Sequence, residues 1–199
     1  FTGLNNFSTF TITDDLFSQY FGFTDAEVRE MLDYYGVSDY YSTAKDWYDG
    51  YSFGKTEIYC PWDVLNYCSR LRFESDKSPQ AFWINSSGND IIRKFIEMAN
   101  TTTKSEIESL IAGDTVVKEI HPELTYSELY TSIENIWSVL YMTGYLTKRG
   151  IPERKQFELA IPNLEIREIF EEQIYEWFKD FSRKDSSTLN TLCQAFADG

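Results

Sequence analysis

The residues Gly50, Gly54, Lys55 and Thr56 stand in an order that resembles a phosphate-binding loop. A P-loop requires the pattern G-x-x-x-x-G-K-[ST], in which successive backbone N–H groups surround the phosphates. Five positions before Gly54 the chain has Asp49, and Gly50 is one residue too close. No apolar strand leads into the stretch and no helix follows it directly, although a P-loop needs both. The sequence therefore predicts a β-hairpin here, with a turn at Asp49–Gly50, and no nucleotide site.

Composition limits the classes of partner that the chain can bind. Its 199 residues are 42% hydrophobic and 17% aromatic, which indicates a globular protein with room for one large or two small domains. There are 18 Lys and Arg residues against 32 Asp and Glu, a formal charge of −14. Such an acidic surface argues against extensive binding of nucleic acid or anionic membranes, although a local basic patch is compatible with it. No apolar run approaches the roughly 20 residues of a membrane-spanning helix.

Cysteine and histidine are too few for the common metal and nucleophile sites. Cys60, Cys68 and Cys193 include no C-x-x-C pair, a pattern typical of reduced thiols in a cytoplasmic protein. His121 is the only histidine, and it precedes a proline in what we interpret as a loop or strand end. A structural zinc site needs four ligands. We therefore expect no metal site and no catalytic residue in this chain.

Helix signals dominate the sequence. Thr24 and Glu27 have the spacing of a capping box, Pro61 suits the first position of a helix, and Thr103 is the predicted cap of another helix, which Gly113 closes. The predicted fold class is mostly α with a small β component, an α+β protein. A helical subdomain is expected over residues 1–110, with an aromatic β-hairpin near 46–60.

The second half of the chain alternates helix and strand in a recognisable order. Residues 115–120 are β-branched and predict a short strand. A helical segment ending at Gly144 is followed by two strand-like runs and then by a long helix that Asn163 caps. Helix, two strands and helix form the plan of a winged-helix element, with residues 148–155 as the tip of the wing. We expect this subdomain over residues 111–181, followed by a linker and a terminal amphipathic helix over 182–199.

Three ordered blocks of sequence resemble one known family. They are Gly3–Val28, then Trp47–Tyr67 with Phe82–Phe95, and finally Leu140–Phe170. The order of these blocks and their residue patterns resemble those of the bacterial AAA-ATPase-like family. The resemblance extends over about residues 3–180. Members carry an N-terminal P-loop ATPase core and frequently a C-terminal PD-(D/E)XK nuclease-like domain.

The resemblance implies a part of an ATPase rather than a whole one. The family's P-loop and its acidic Mg²⁺-binding strand would lie upstream of Gly3, and the nuclease-like domain would begin near or after Gly199. The chain, which begins at Phe1 without Met, would then be a helical, lid-like region followed by the winged-helix-like region. Its partners would be the upstream core and the downstream nuclease-like domain. ATP and Mg²⁺ are implied for the longer protein, and no cofactor or catalytic residue carries over to this chain.

The predicted wing contains four basic residues: Lys148, Arg149, Arg154 and Lys155. Because phosphate contacts dominate affinity for nucleic acid, a basic wing on an acidic protein is a candidate nucleic-acid-binding site. Exposed hairpins also carry charge simply to remain solvated, so that interpretation stays open.

A group of aromatic residues around the predicted hairpin allows two interpretations. One is a stacking platform for a glycan, and the other, which we favour, is packing in the core. The group consists of Trp47, Tyr48, Tyr51, Phe53, Tyr59 and Trp62.

Asn5 and Asn6 are candidates for sensing a bound nucleotide, because in the family this position follows closely on the ATPase core. They could equally form a turn. The sequence as a whole predicts a non-catalytic lid and winged-helix portion that couples the nucleotide state of the core to its neighbour. A nucleic-acid-binding module and a glycan-binding or interaction domain are the alternatives.

Overall fold

The protein is described by a computed structural model over residues 10–83, 90–124, 128, 131–176 and 179. It is an α+β protein, mostly helical, with two small antiparallel sheets. The predicted fold class is confirmed.

The first helix begins where the sequence predicted, whereas the second was not predicted and takes up the start of the stretch predicted as a hairpin near 46–60. Helix α1 spans Asp25–Tyr34 and helix α2 spans Tyr41–Tyr48, with short 3-10 turns at Ser18–Tyr20 and Ser38–Tyr40. The Thr24 side chain accepts a hydrogen bond from the Glu27 N–H at 3.4 Å, and the Glu27 carboxylate accepts one from the Thr24 N–H at 2.8 Å. This reciprocal pair is the predicted capping box.

The predicted hairpin is present, but its turn lies elsewhere. Strand β1 (Tyr51–Phe53) pairs with strand β2 (Thr56–Ile58), so the turn is formed by Gly54 and Lys55. The prediction of a turn at Asp49–Gly50 is wrong. Gly50 has a φ of +95°, and a Cβ atom added there would lie 2.1 Å from the Pro162 carbonyl oxygen. Glycine is needed at this position because the backbone meets another segment closely, not because the hairpin reverses there.

Helix α3 (Pro61–Phe73) completes the first hydrophobic cluster. Pro61 occupies the first turn of α3, as predicted. The cluster is formed by buried side chains of α1, α2, α3 and the end of the hairpin, namely Val28, Leu32, Ala44, Tyr48, Tyr59, Val64, Tyr67, Cys68 and Leu71.

The remaining elements surround a three-stranded sheet. They are α4 (Asp90–Met98), α5 (Thr101–Ala112), β3 (Val116–Glu119), α6 (Ile133–Met142), β4 (Thr147–Glu153), β5 (Gln156–Ala160) and a helix over 164–176, here named α7. Strand β5 lies between β3 and β4, antiparallel to both, with Leu159 opposite Val116 and Ala160 opposite Thr147. The predicted cap of α5 is wrong: Asn100, not Thr103, is the N-cap, and its side chain accepts a hydrogen bond from the Thr103 N–H at 2.9 Å.

A second, larger hydrophobic cluster contains residues of α4, α5, α6, α7 and the sheet. The elements of the first cluster end at residue 73 and those of the second begin at residue 90, so the two clusters divide the described chain between these positions. The subdomain boundary predicted from the sequence was residue 110. Helices α4 and α5 belong with the C-terminal cluster because Ile92, Phe95 and Leu110 are buried there. The predicted order of helix, two strands and helix is present as α6, β4, β5 and α7. Its assignment as a winged helix stays a prediction, and residues 182–199 lie outside the described residues.

None of the described helices combines the length and the apolarity needed to cross a bilayer.

Candidate functional site

The hairpin joins the two clusters through polar contacts with β4. The Ser52 backbone N–H donates to the Thr147 hydroxyl at 2.9 Å. The Lys148 ammonium donates to the Gly54 carbonyl oxygen, and both Thr147 and Lys148 are buried. Such contacts fix the hairpin against the C-terminal sheet, because a buried polar group that loses its partner is unfavourable.

A second junction lies beside the first. Asn163 caps helix α7 by accepting a hydrogen bond from the Ile166 N–H at 3.1 Å. Its amide nitrogen donates to the Asp49 carbonyl oxygen at 2.9 Å. One buried side chain therefore sets both the start of α7 and the end of α2, and the close approach of Gly50 to Pro162 lies between these two contacts.

A cleft of about 430 Å³ opens at this second junction. Its lining comes from both halves of the chain: Lys45 and Asp49 on one side, Asp114, Arg149 and Arg167 on the other. The cleft thus changes shape if the two halves move relative to each other.

Two arginines in the cleft have no counterion among the described residues. Neither Arg149 nor Arg167 forms an ion pair there, and the Nε atom of Arg167 is buried without a hydrogen-bond acceptor. Guanidinium groups bind carboxylates and phosphates through paired N–H donors. The arrangement can therefore accept an anionic group from outside the chain.

Four carboxylates also line the cleft: Asp46, Asp49, Glu57 and Asp114. The Lys45 ammonium lies 3.6 Å from one Asp49 carboxylate oxygen and 3.8 Å from Asp25. Burial raises the pKa of Asp49, and the Gly50 N–H and Lys45 oppose that shift. The lining thus holds three cations, Lys45, Arg149 and Arg167, against four carboxylates, so an anion would bind at the two guanidinium groups and not to a generally positive cleft.

The structure separates the four basic residues of the predicted wing. Lys148 is 6% exposed and bound to Gly54, and burial lowers its pKa. Arg149 lines the cleft. Arg154 is exposed at the turn between β4 and β5, and the Lys155 ammonium pairs with Glu123 at 3.0 Å. These cations do not form one basic surface.

The other residues singled out from the sequence contribute no reactive group or metal site within the described part of the chain. Asn5 and Asn6 lie outside the described residues. Burial raises the pKa of Cys60 to about 12 and that of Cys68 to about 11, so both thiols stay protonated near neutral pH. Within the described part of the chain, no group of three or more His, Cys, Asp and Glu side chains could hold a metal ion.

Half of the aromatic group around the hairpin is buried. Tyr48, Tyr51 and Tyr59 are core residues, which confirms the predicted packing for these three. Trp62 is 62% exposed and Trp47 is partly buried. The buried rings cannot form a stacking platform for a glycan.

An exposed aromatic face, not anticipated from the sequence, covers the first described residues. Within residues 10–21 the exposed large hydrophobic side chains are Phe10, Leu16, Phe17, Tyr20 and Phe21. The segment is fixed to the hairpin, because the Gly54 N–H donates to the Ile12 carbonyl oxygen at 3.0 Å. The Phe21 and Phe53 rings also meet edge to face, with centroids 5.9 Å apart. The dense aromatic content of this stretch was the available signal, and its exposure could be seen only in the structure.

Comparison with known proteins identifies no relative. The chain matches no family model, no curated protein and no solved structure. The resemblance to the AAA-ATPase-like family therefore rests on the sequence blocks and stays a prediction.

Proposed function

We propose that this chain is the lid and winged-helix portion of an AAA-ATPase-like protein. It performs no chemistry itself. It passes the nucleotide state of a P-loop core, encoded upstream in a longer cytoplasmic protein, to a neighbouring nuclease-like domain. The observation that carries the proposal is the exposed aromatic face over residues 10–21.

An apolar surface of this kind is typical of a docking site. Contiguous exposed hydrophobic patches on soluble proteins mark interaction surfaces, because leaving them in water is unfavourable. The proposed occupant is the upstream core, since the family resemblance places that core immediately before Gly3. The chain that leaves the core would then enter this structure at the face itself, near Phe10.

The hairpin connects the face to the cleft. On one side it contacts the face through Ile12 and Phe21, and on the other it contacts β4 through Thr147 and Lys148. Movement of a docked core would therefore be transmitted to the sheet and to the cleft wall that Arg149 and Arg167 share. ATP and ADP would bias two packings of this portion against the core through different contacts.

Arg149 and Arg167 are the residues we assign to the anionic ligand of the assembled protein. They form no ion pair among the described residues and lie in one cleft. In the longer protein they would face the nucleotide phosphates, with Mg²⁺ held by the core. The site is thus incomplete in the 199-residue chain.

Calorimetry with ATP and Mg²⁺ on this chain and on the longer gene product tests the proposal. Only the longer protein should bind. Replacing Arg149 or Arg167 by Ala there should weaken binding about tenfold or more, the effect of losing a charge-assisted hydrogen bond worth about 1.5–3 kcal/mol. Arg154→Ala is the matched control and should leave affinity unchanged. Binding by the short chain alone, or equal loss in all three variants, would contradict the proposal.

The nucleic-acid and glycan alternatives have less support. Burial of Lys148 and pairing of Lys155 leave Arg154 as the unpaired cation at the turn of the wing, too small a footprint for phosphate-driven binding. Burial of Tyr48, Tyr51 and Tyr59 removes half of the aromatic platform.

A further inference from the structure

Two carboxyl groups meet in the interior between the two hydrophobic clusters. Asp63 lies in the first turn of α3, and Glu165 lies in the first turn of α7. Both residues are 0% exposed. The two side chains are close enough to share a hydrogen bond. One belongs to an element of the N-terminal cluster and the other to an element of the C-terminal cluster, so their contact bridges the two.

The pair has too few hydrogen-bond donors for two ionised groups. One Glu165 oxygen accepts the Trp83 backbone N–H at 3.0 Å. The other Glu165 oxygen and both Asp63 oxygens form no hydrogen bond of good geometry when the two groups are drawn as carboxylates, and the donors that act on Asp63 are the Cys60 thiol and the Trp83 side chain. Buried acceptors without donors are rare in folded proteins, because each one loses its hydration without compensation.

No positive charge offsets the pair within the described residues. The titratable groups that act on it are neutral at physiological pH: Tyr48 of α2, Tyr51 of β1 and Cys60 just before α3. The Trp83 side chain and the Cys60 thiol stabilise the Asp63 carboxylate, but less than burial destabilises it. Two buried negative charges in contact, with no counterion, are strongly unfavourable.

We propose that Asp63 and Glu165 share one proton, and that this proton acts as a clamp between the two clusters. A single proton converts one group into a donor, so a carboxyl–carboxylate hydrogen bond replaces the repulsion between two charges. The clamp holds α3 against α7 when the proton is present and is weakened when the proton leaves. The inference concerns this chain alone and does not depend on the proposed ATPase context.

The direction of the pKa shifts agrees with the geometry. Burial, and then the charge of Asp63, raise the pKa of Glu165 to about 9, and burial raises the pKa of Asp63 as well. The native state therefore holds a proton that the unfolded chain releases near the ordinary glutamate pKa. Its stabilising effect is fully present below that ordinary pKa and is lost as the pH rises through about 9.

Equilibrium unfolding of the 199-residue chain between pH 7 and 8.5 tests the shared proton. One proton released on unfolding makes the unfolding equilibrium constant rise about tenfold per pH unit, or roughly 30-fold across the window. Glu165→Gln should abolish this dependence, because the amide keeps an oxygen for Trp83 and donates N–H to Asp63. Asp49→Asn is the matched control: Asp49 is also buried with a raised pKa, but it pairs with Lys45, so its removal should leave the slope intact.

An infrared measurement gives a second, independent readout. At pH 7 the wild type should show the stretching band of a protonated carboxyl group, and Glu165→Gln should lack it. If Glu165→Gln does not fold, Asp63→Asn serves, and its band should shift because Glu165 then faces an amide instead of a carboxylate. A wild-type slope near zero, an unchanged slope in Glu165→Gln, or no protonated band at pH 7 would overturn the proposal. Removal of the slope by added Mg²⁺ or Ca²⁺ would also overturn it, because the pair would then be a cation site.

Discussion

The Asn163 amide donates to the Asp49 carbonyl oxygen at 2.9 Å, joining residues that lie 114 positions apart. The same side chain caps helix α7 through the Ile166 N–H. Because Asn163 is buried, its two hydrogen bonds are shielded from water. The start of α7, the end of α2 and one wall of the cleft therefore depend on one amide group.

Replacing Asn163 should separate its two roles. Asn163→Ala removes the cap and leaves the Asp49 carbonyl without a donor, so we expect a loss of about 2–3 kcal/mol in the free energy of unfolding. Asn163→Ser keeps a capping oxygen but is too short to reach Asp49, so about half of that loss is expected. Urea unfolding followed by circular dichroism measures both variants. Equal losses would show that the cap contributes nothing, and no loss in Asn163→Ser would show the same for the contact with Asp49.

Gly50 should tolerate no side chain. Its φ is +95°, and a Cβ atom would lie 2.1 Å from the Pro162 carbonyl oxygen, so Gly50→Ala should destabilise the protein by about 3 kcal/mol or more. Gly36 is the control: its φ is +68°, with nothing within 4 Å of an added Cβ. Gly36→Ala should then cost only the backbone strain, about 1–2 kcal/mol. Thermal unfolding of the two variants side by side measures the difference, and similar midpoints would contradict the close approach.

Structural features that depend on neighbouring residues were predictable from the sequence, whereas features that depend on contacts between distant residues were not. The capping box at Thr24 and Glu27 depends on residues three positions apart, and the structure contains it as predicted. The hairpin turn was misplaced because Asp49–Gly50 and Gly54–Lys55 both have turn-forming chemistry. What decides between them is the contact of Gly50 with Pro162, which no local pattern reveals.

The candidate site was the least predictable part. Arg149 was singled out as a wing residue, but its cleft partner Arg167 sits in an ordinary amphipathic helix and gave no signal of its own. The carboxyl pair joins Asp63 and Glu165 across about a hundred residues, and each acid alone is typical of the first turn of a helix. Burial, which makes the pair unusual, is a property of the folded chain.

Truncation of Lys148 should destabilise the protein, whereas truncation of Arg154 should hardly change its stability, although both residues were predicted for the wing. The buried Lys148 ammonium donates to the Gly54 carbonyl oxygen, so Lys148→Ala should cost about 1.5–3 kcal/mol of stability. Arg154 is exposed, and Arg154→Ala should change stability by less than about 0.5 kcal/mol. Chemical denaturation gives both values. A stable Lys148→Ala protein that loses DNA affinity would instead favour the nucleic-acid alternative.

The aromatic face should matter only in the longer protein. Tyr20 is 75% exposed in the face and Tyr34 is 83% exposed at the end of α1, outside it. In the 199-residue chain, Tyr20→Ser and Tyr34→Ser should each shift stability by less than about 0.5 kcal/mol, because neither side chain is packed. In the longer gene product, Tyr20→Ser should lower the thermal midpoint and weaken the stabilisation by ATP, since it removes a contact with the core, whereas Tyr34→Ser should do neither. Differential scanning calorimetry with and without ATP and Mg²⁺ measures both effects. Identical behaviour of the two variants in the longer protein would remove the docking surface from the proposal and leave the arginine cleft to support it alone.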